Sequence, residues 1–393
     1  MTKLDKLIQE LCPDGVEFRK VKEVYQRIKG TPITAGKMKE IENPQGEIKI
    51  FAGGRTVINA KEEDIPNANI TRVPAVLVQS RGVIDAIYYD KPFTFKNEMW
   101  AYTADEPVSV KFLYYVLKNN MDYFRSAAAG MGSLPQISLP VTENFVIPVP
   151  PLPVQREIVR ILDNFTELTA ELTAELTARK KQYEFYRDKL LDFAGNTDVK
   201  NVPLGDIAKF VYGYTDKAKE TGSVRFVRIT DISEDGRLNP YDAKYVELTD
   251  ESKKYLLKKG DLLLARTGAT YGKTLYFEED EPAVYASFLI KIILDNSVIK
   301  NRYYWHFSKS SLYWEQAERY VSKGGQQQFN TNAVSRVIVP IPSLEVQDRI
   351  IYVLDNFDAI CTDLSSGLPA EIEARQKQYE YYRDKLLSFE EKI

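Results

Sequence analysis

The chain has 393 residues, 44% of them hydrophobic, and a formal net charge of −3, so it can hold two or three domains with ordinary apolar cores. The balanced charge excludes the overall basic character of a free-standing nucleic-acid-binding protein, so any polyanion contact must come from local patches or be shared with a partner. Two cysteines (Cys12 and Cys361), no apolar run long enough for a membrane span and no signal-peptide core together favour a cytoplasmic protein.

The N-terminal part is predicted to begin with a short helix and to continue as β-rich structure. Residues 1–12 carry apolar side chains at helical spacing, and Pro13-Asp14-Gly15 ends the segment. A helix is predicted over 110–125, and strand-like runs bounded by glycine or proline lie at 48–51, 75–78, 84–89 and 93–95. We therefore predict a first domain over 1–149, including the N-terminal helix.

Residues 150–195 predict one long helix. Pro153 can open it, and apolar residues then recur at steps of three and four on one stripe: Val154, Ile158, Ile161, Leu162, Phe165, Leu168, Leu172 and Leu176. At ~1.5 Å per residue, about forty residues make a rod of about 60 Å, whose stripe needs a second long helix to cover it. The stripe contains a Thr-Ala-Glu-Leu tandem at 169–176, which is either helix-friendly low complexity or a spacer whose length changes by whole units.

A second domain is predicted over 196–341, followed by a second helical copy over 342–393. A helix is predicted over 302–320, and strand-like runs lie at 226–229, 261–266, 274–277 and 288–293. The final segment repeats parts of the first helix: Val-Gln at 154 and 346, Leu-Asp-Asn-Phe at 162 and 354, and Gln-Tyr-Glu at 182 and 378. Between the last two it is four residues longer, and residues 365–369 should break or kink it.

The repeat appears in circularly permuted order. Residues 16–24 follow the N-terminal helix as 201–207 follow the central one, so the N-terminal helix corresponds to the end of a rod that begins at the C terminus. The two chain ends should then lie close together. One scaffold with diverged loops is also indicated by paired landmarks: Arg81-Gly82 with Arg266-Thr267-Gly268, and Gly132 and Gln136-Ile137 with Gly324 and Gln328-Phe329.

Residues able to carry catalysis are scarce. His306 is the sole histidine, and its aromatic helical surroundings favour a packed or surface residue over a general base. Two distant cysteines predict no zinc site. The segment Gly268–Thr274 has three residues between its glycines and runs into a strand, whereas a phosphate loop has four and opens a helix. We therefore predict a chain with no catalytic or metal site.

Recognition of DNA is the remaining expectation, because both domains carry loop residues of the types that contact phosphates and base edges. In the first domain these are Arg55, Arg72, Arg81, Lys91, Lys96 and Gln136. In the second they are Arg228, Arg266, Thr270, Tyr271, Lys273, Lys323, Gln326, Gln327, Gln328 and Asn330. Each one alone is more often a solvated surface group, so the hypothesis depends on their matched positions in two copies.

At full length the sequence resembles the specificity (S) subunits of type I restriction-modification enzymes. The resemblance is carried by residues 147–158 and their partner 338–350, by 260–273, by 10–17 and by the Thr-Ala-Glu-Leu tandem. It implies an α+β chain: two similar β-rich target recognition domains joined by two long conserved helices that form an antiparallel coiled coil, pseudo-twofold and circularly permuted. It also implies a non-catalytic subunit that binds a bipartite DNA target with a non-specific spacer.

The resemblance further implies partners. Two modification (M) subunits that methylate adenine would dock on this chain, with restriction (R) subunits in the full complex; S-adenosylmethionine, ATP and Mg belong to those subunits, so no cofactor is expected here. Ser343, where the first copy has Pro151, departs from the family pattern only in a linker turn. Aromatic residues on several sides of the helices either form the M-docking surface or pack against the adjacent domain: Tyr183, Phe185, Tyr186, Tyr379, Tyr381 and Tyr382.

Two other classes of protein stay open. One is a coiled-coil scaffold whose globular modules bind proteins, and the other is a nuclease with an unrecognised site, which the lack of an organised carboxylate-lysine or histidine cluster disfavours. The acidic balance predicts weak DNA binding by the isolated chain, and tighter binding when M subunits complete a positive channel around the duplex.

Overall fold

The structure, a computed structural model, describes residues 2–128, 134–322, 327–363 and 366–392. It contains two compact units, which we call unit 1 (Met1–Leu172 with Ile372–Ile393) and unit 2 (Thr173–Glu371). The domain limits at 149, 195 and 341 stay predictions. Among the described residues, no helix is both long and apolar enough to cross a membrane.

The chain begins with a helix that its own first residues stabilise. The Thr2 hydroxyl accepts from the backbone N–H of Asp5, and the Asp5 carboxylate accepts from the N–H of Thr2, which completes a capping box. The elements up to the central helix are α1 (Lys3–Leu11), β1 (Glu17–Lys20), α2 (Val21–Val24), β2 (Gln26–Ile28), α3 (Ala35–Ile41), β3 (Ile48–Phe51), β4 (Val57–Ala60), β5 (Ala75–Gln79), β6 (Asp85–Tyr89), β7 (Phe93–Phe95), β8 (Trp100–Thr103), α4 (Pro107–Asn119), α5 (Met121–Ala127), α6 (Leu139–Glu143), β9 (Val146–Val149) and α7 (Leu152–Leu191).

Two sheets and a helix build the core of unit 1. The antiparallel sheet has the order β2-β8-β5-β6, and the smaller sheet has the order β4-β3-β7, with β3 and β7 parallel. Alternate residues of β5 face opposite sides, so Val76 and Val78 pack against α4 while Ala75 and Leu77 pack against the smaller sheet. Strands β1 and β9 pair separately, beside the start of α7.

The chain then repeats this arrangement. Strands β11-β17-β14-β15 and β13-β12-β16 form the two sheets of unit 2, with β12 and β16 parallel, and β10 pairs with β18 as β1 pairs with β9. The predicted duplication is confirmed. The elements are β10 (Lys200–Pro203), α8 (Leu204–Ile207), β11 (Ala208–Tyr212), β12 (Val224–Val227), β13 (Tyr245–Val246), β14 (Leu262–Ala265), β15 (Thr274–Tyr276), β16 (Ala283–Tyr285), β17 (Leu289–Leu294), α9 (Asn301–Phe307), α10 (Ser311–Tyr320), α11 (Thr331–Val334), β18 (Ile338–Ile341), α12 (Leu344–Thr362) and α13 (Leu368–Leu386).

The helix predicted over 302–320 is in fact two helices. Ser310 separates α9 from α10: its hydroxyl lies 2.7 Å from the carbonyl of Phe307, to which it donates, and accepts from the N–H of Tyr313. A serine at this position caps a new helix rather than extending the old one. The helix predicted over 110–125 is also divided, into α4 and α5, at Asn120, whose side-chain amide donates to Val116 O instead of capping α5.

Helix α7 extends over 40 residues, as predicted. Its apolar stripe is its covered side, with Val154, Ile158 and Leu162 buried. In unit 1 the ring of Phe165 stacks on Tyr382 with centroids 5.5 Å apart. In unit 2 the ring of Tyr186 stacks on Phe357, also at 5.5 Å. In each unit a residue near the start of one copy meets a residue near the end of the other, as antiparallel pairing requires.

The C-terminal copy is interrupted, and its end meets the beginning of the chain. Helix α12 ends at Thr362 and α13 begins at Leu368, so the predicted break is confirmed. The N–H of Val16 donates to Glu390 O over 2.9 Å, and the N–H of Lys392 donates to Val16 O over 2.9 Å. Gly15 has φ +89°, and a Cβ there would lie 2.6 Å from Glu390 O, so the junction requires glycine. The ends of the permuted repeat lie together, as predicted.

Candidate nucleic-acid interface

Three loops of unit 1 meet at one end of its sheets. The N–H of Gly54, after β3, donates to Arg81 O over 3.1 Å, and the N–H of Gly82, after β5, donates to Pro135 O over 2.8 Å. Gly54 and Gly82 both have positive φ, which allows the tight turns. Loops that are far apart in sequence are thereby joined into one surface.

Four of the six candidate residues of the first domain lie on these joined loops or beside them. Arg55, Arg81 and Gln136 are exposed, and Arg81 and Gln136 are bridged through their backbones. The N–H of Lys96 donates to Phe51 O at the end of β3, and its ammonium lies 3.0 Å from Glu98. The structure thus brings two arginines, a lysine and an amide together.

Lys91 and Arg72 lie elsewhere in unit 1. Lys91 belongs to the turn before β7, and the carbonyl of Pro92 in that turn accepts from the N–H of Lys49 at the start of β3. Arg55, by contrast, follows the end of β3. A strand of four residues separates these ends by about 10 Å. The Arg72 guanidinium contacts Glu62 at 2.5 Å, so its charge is already compensated.

Unit 2 has a corresponding junction centred on Arg266. Its N–H donates to Phe288 O over 3.1 Å, and its carbonyl accepts from the N–H of Phe329 over 2.7 Å. Thr267 is bridged to Gln328 as Arg81 is to Gln136. The backbone of Arg266 is therefore fixed on both sides by loops from β17 and from the segment before α11.

The side chain of Arg266 is held between two aromatic rings. Its guanidinium lies 5.3 Å from the ring centres of both Tyr212 and Phe288. Its Nε donates to Ser287 O over 3.2 Å. Tyr212 and Phe288 are 41% and 49% exposed, so this clamp lies at the surface. Neither aromatic residue was predicted from the sequence, because an exposed ring at a strand end has the same pattern as a buried one.

The other candidates of unit 2 differ in their surroundings. Arg228 is ion-paired with Asp231 at 2.6 Å and Asp242 at 3.3 Å, which raises the pKa of its guanidinium through the bond to Asp231. Tyr271 packs edge-on against Trp314, and burial raises the pKa of its hydroxyl. Neither side chain projects freely from the surface.

Five more candidates of unit 2 are described, and two are not. Lys273 lines a cleft beside Trp314, and the hydroxyl of Thr270 is buried. Gln328 is exposed and bridged to Thr267, next to the equally exposed Gln327. Asn330 caps α11 by accepting from Ala333 over 3.1 Å. Lys323 and Gln326, like the landmarks Gly132 and Gly324, lie outside the described residues.

The strand registers show which loop positions correspond. Gly82 matches Gly268, so Arg81 matches Thr267 and not Arg266, which instead matches Ser80. By the same registers Lys29 of unit 1 takes the place of Tyr212, and Glu98 that of Phe288. The three positions of the clamp are therefore filled by different chemistry in unit 1: Lys29, Ser80 and Glu98.

The repeated Leu-Asp-Asn-Phe segment supplies a carboxylate that holds the domain of each unit on its helix. Asp163 accepts from the hydroxyl of Tyr115 at 2.5 Å and pairs with Lys111 at 2.8 Å. Its counterpart Asp355 accepts from His306 Nε2 at 2.7 Å and from Arg302 at 2.8 Å. In both units the two donors are four residues apart on the first helix after the sheets.

His306 is packed in the interior, one of the two placements predicted for it. Its side chain has no exposed surface, its Nε2 faces Asp355, and its Nδ1 lies 3.2 Å from the hydroxyl of Tyr183. Burial lowers its pKa from 6.5 to about 4, despite the opposing effect of Asp355. A neutral ring that donates from Nε2 and accepts at Nδ1 satisfies both neighbours.

A second buried carboxylate, Asp358, anchors unit 2 alone. We call Asp358, Lys309, Arg237 and Trp305 the Asp358 cluster. One carboxylate oxygen lies 3.1 Å from Lys309 Nζ and the other contacts Arg237, while Lys309 Nζ lies 3.4 Å from the ring centre of Trp305. Burial lowers the pKa of Lys309 to about 8. Although burial alone would raise the pKa of Asp358, the two cations hold it below its ordinary value.

The six aromatic residues of the helices fall into three pairs. Tyr183 and Tyr379 pack against the core of their own unit. Tyr186 and Tyr382 stack on the phenylalanines of the Leu-Asp-Asn-Phe segments, as described above. Only the pair Phe185 and Tyr381 projects largely outward, at 62% and 63% exposure.

No group of three or more histidine, cysteine, aspartate or glutamate residues in the described part of the chain could hold a metal ion. The strand β15 follows Gly268–Thr270 where a phosphate loop would open a helix. The charged side chains of the domain anchors on α7 and α12 pair with one another.

Comparison with known proteins identifies the fold. The family model described as the type I restriction modification DNA specificity domain matches residues 13–179 and again 196–374. The structure is similar to that of the type I restriction-modification S subunit from M. genitalium, with a TM-score of 0.62 at 18% identity over 95% of this chain and 96% of that one.

Two curated relatives are similar in sequence. The putative type I restriction enzyme specificity subunit of Haemophilus influenzae is 34% identical over 316 residues, 76% of this chain and 77% of the relative. The EcoR124I/EcoR124II specificity subunit of Escherichia coli is 33% identical over 297 residues, 72% of each. Proteins of this kind are the non-catalytic subunits of their systems. With two copies of the family domain on one permuted scaffold, the chain belongs to the specificity subunits of type I restriction-modification systems.

Proposed function

We propose that this chain binds a bipartite DNA target, one half-site through the loop junction of each unit, and leaves the bases between them unread. The observation that carries the proposal is the pair of junctions: the same loops meet in both units, but different side chains occupy them. A shared backbone with divergent side chains is what two recognition domains for two different half-sites need.

The proposed contacts divide the candidate residues by role. Exposed Arg55 and Arg81 suit phosphate contacts that position the duplex, whereas amides such as Gln136 and Gln328 suit base edges. A net charge of −3 gives the chain little general attraction for DNA. We therefore expect tight binding only when modification subunits add positive surface around the duplex.

The proposed docking surface for the modification subunits includes Phe185 and Tyr381. They occupy equivalent places in the two helical copies and are the outward-facing members of the three aromatic pairs. Aromatic side chains are enriched at protein–protein interfaces relative to the rest of the surface. Equivalent anchors suit two copies of one partner, with restriction subunits joining in the full complex.

The length of α7 would set the separation of the half-sites. One additional Thr-Ala-Glu-Leu unit adds ~6 Å of helix and a net rotation of about 40°. In B-DNA ~6 Å is less than two base pairs, and about 40° is close to the twist of one. A lengthened helix should therefore fit a gap that is longer by one or two base pairs.

The experiment inserts one such unit after Leu176 and maps adenine methylation in cells that express the chain with its modification subunit. Both half-sites should stay unchanged while the gap between them lengthens. A matched control replaces residues 173–176 by another four-residue helical sequence, and its gap should stay as in the parent. Changed half-sites with a constant gap would refute the role of α7 as a spacer.

A further inference from the structure

Arg266 lacks the counter-charge that three other partly buried arginines of unit 2 have. Arg228 pairs with Asp231, Arg237 with Asp358, and Arg302 with Asp355. Arg266 is also partly buried, yet among the described residues its guanidinium has no carboxylate partner. A guanidinium held at a surface without a counter-ion is available to an acceptor from outside the chain.

The surroundings of Arg266 fix the direction of its side chain. The ring centres of Tyr212 and Phe288 each lie 5.3 Å from the guanidinium carbon, and the carbonyl of Ser287 accepts from Nε. The ring of Tyr212 is itself tied down, because its hydroxyl lies 3.2 Å from Thr331 Oγ1. With Nε occupied, the two terminal nitrogens remain as a planar pair of donors, and little rotamer freedom is left to lose on binding.

We propose that Arg266, clamped by Tyr212 and Phe288, recognises one guanine in the half-site bound by unit 2. Two donors in one plane match the O6 and N7 acceptors that guanine presents in the major groove. The exposed ring edges beside them would contact the neighbouring base or a thymine methyl group. This assignment rests on the proposed function, since it names a residue and a base within it.

The corresponding positions of unit 1 cannot make the same contact. Lys29, Ser80 and Glu98 stand there, and the backbone carbonyl of Glu98 accepts from the Ser80 hydroxyl. No guanidinium fork exists at that place in unit 1. The clamp is therefore a specificity-determining feature of one half-site, and the other half-site serves as an internal control in any test.

The test uses the chain assembled with its modification subunits and a DNA library with randomised half-sites. Methylated molecules are sequenced for the parent, for Arg266→Lys and for Arg266→Ala. The parent should require guanine at one position of the unit 2 half-site, and both variants should relax that position. Preference there should fall roughly 5- to 150-fold, the range of a bidentate arginine contact. Because lysine keeps the charge but loses the fork, relaxation in Arg266→Lys separates base recognition from phosphate contact.

Two further variants distinguish loss of the clamp from a general loss of DNA affinity. Phe288→Ala should weaken the same preference by leaving the fork free to rotate, and Arg336→Ala, which removes an arginine stacked on Tyr320 at 4.4 Å, should leave both half-sites intact. Overturning results are a unit 2 half-site without guanine, or an Arg266→Ala complex that weakens equally on all sequences with a smaller salt dependence. A parent complex that shows no bipartite preference would instead defeat the proposed function itself.

Discussion

Replacing Asp358 by asparagine should destabilise unit 2 far more than the loss of one surface ion pair. The side chain of Asp358 is 2% exposed and that of Lys309 is 12% exposed. Asparagine keeps the size of the side chain but removes its charge, so the Lys309 ammonium stays buried without its carboxylate. Arg237 is less affected, because it is 35% exposed and lies near Asp235 and Glu278 as well.

The size of the expected destabilisation follows from the different surroundings of Lys309 and Arg237. Removing one partner of a buried ion pair costs about 3–5 kcal/mol, since the remaining charge is desolvated without compensation. The alternative acceptors of Arg237 and the residual exposure of Lys309 place the value near the lower end, about 3 kcal/mol. For a unit of about 200 residues, a loss of 1 kcal/mol lowers Tm by roughly 2–4 °C. The expected decrease for Asp358→Asn is therefore roughly 6–12 °C.

Scanning calorimetry of the full chain measures this effect. A matched control is Asp348→Asn on the same helix, because Asp348 is 57% exposed and pairs with Lys300 at 2.5 Å. Its loss should cost less than about 1 kcal/mol, as for other surface pairs. Adding Lys309→Met to Asp358→Asn should restore part of the lost stability, since no buried charge is left unpaired. Equal effects of the two aspartates, or no recovery in the double variant, would refute the assignment of a buried charge anchor.

Two other predictions concern His306 and the aromatic pair. The pKa of His306 is about 4 in the folded chain and 6.5 ordinarily, so the folded state binds fewer protons than the unfolded state between pH 4 and 6.5. The neutral ring of His306 therefore contributes its full stabilisation above pH 6.5, and this contribution is lost as the pH falls towards 4. The free energy of unfolding should thus fall between pH 6.5 and 5 in denaturant titrations, and His306→Gln should flatten that slope; an unchanged slope contradicts a buried neutral ring. The double variant Phe185→Ala, Tyr381→Ala should leave Tm within about 2 °C of the parent and should lower co-purification of modification subunits at least tenfold. Tyr352 is likewise exposed, at 72%, but Tyr352→Ala should leave co-purification unchanged.

The duplicated scaffold could be predicted from the sequence because the repeated residues make the same structural contacts in both units. The Leu-Asp-Asn-Phe segments recur since Asp163 and Asp355 both receive two donors from a domain, and Phe165 and Phe357 both stack on a tyrosine. The break near residue 367 could be predicted from glycine and proline alone. Such repeated segments and local helix breakers can be identified from a single sequence without knowledge of the fold.

The candidate site was only partly predictable, because its residues are joined by backbone bonds between distant loops. Arg81 and Arg266 look equivalent in sequence, because each shortly precedes a glycine, yet the registers show that Arg266 corresponds to Ser80. Arg228 is a basic loop residue like the others, but Asp231 and Asp242 already neutralise it. Residue type alone does not distinguish a paired arginine from a clamped one, since the difference lies in neighbours that only the fold supplies.

The two units share a backbone plan but not the charges that fasten a domain to its helix. Asp358 of unit 2 corresponds to Thr166 in the first helical copy, and Lys118, which corresponds to Lys309, pairs with Asp85 of its own domain at 2.7 Å. A domain that buries Lys309 requires a carboxylate at the position of Asp358, because a threonine there would leave the ammonium without a counter-ion. Each domain is therefore fitted to its own copy of the helix, and the divergence between the two units extends from the loops to the anchors beneath them.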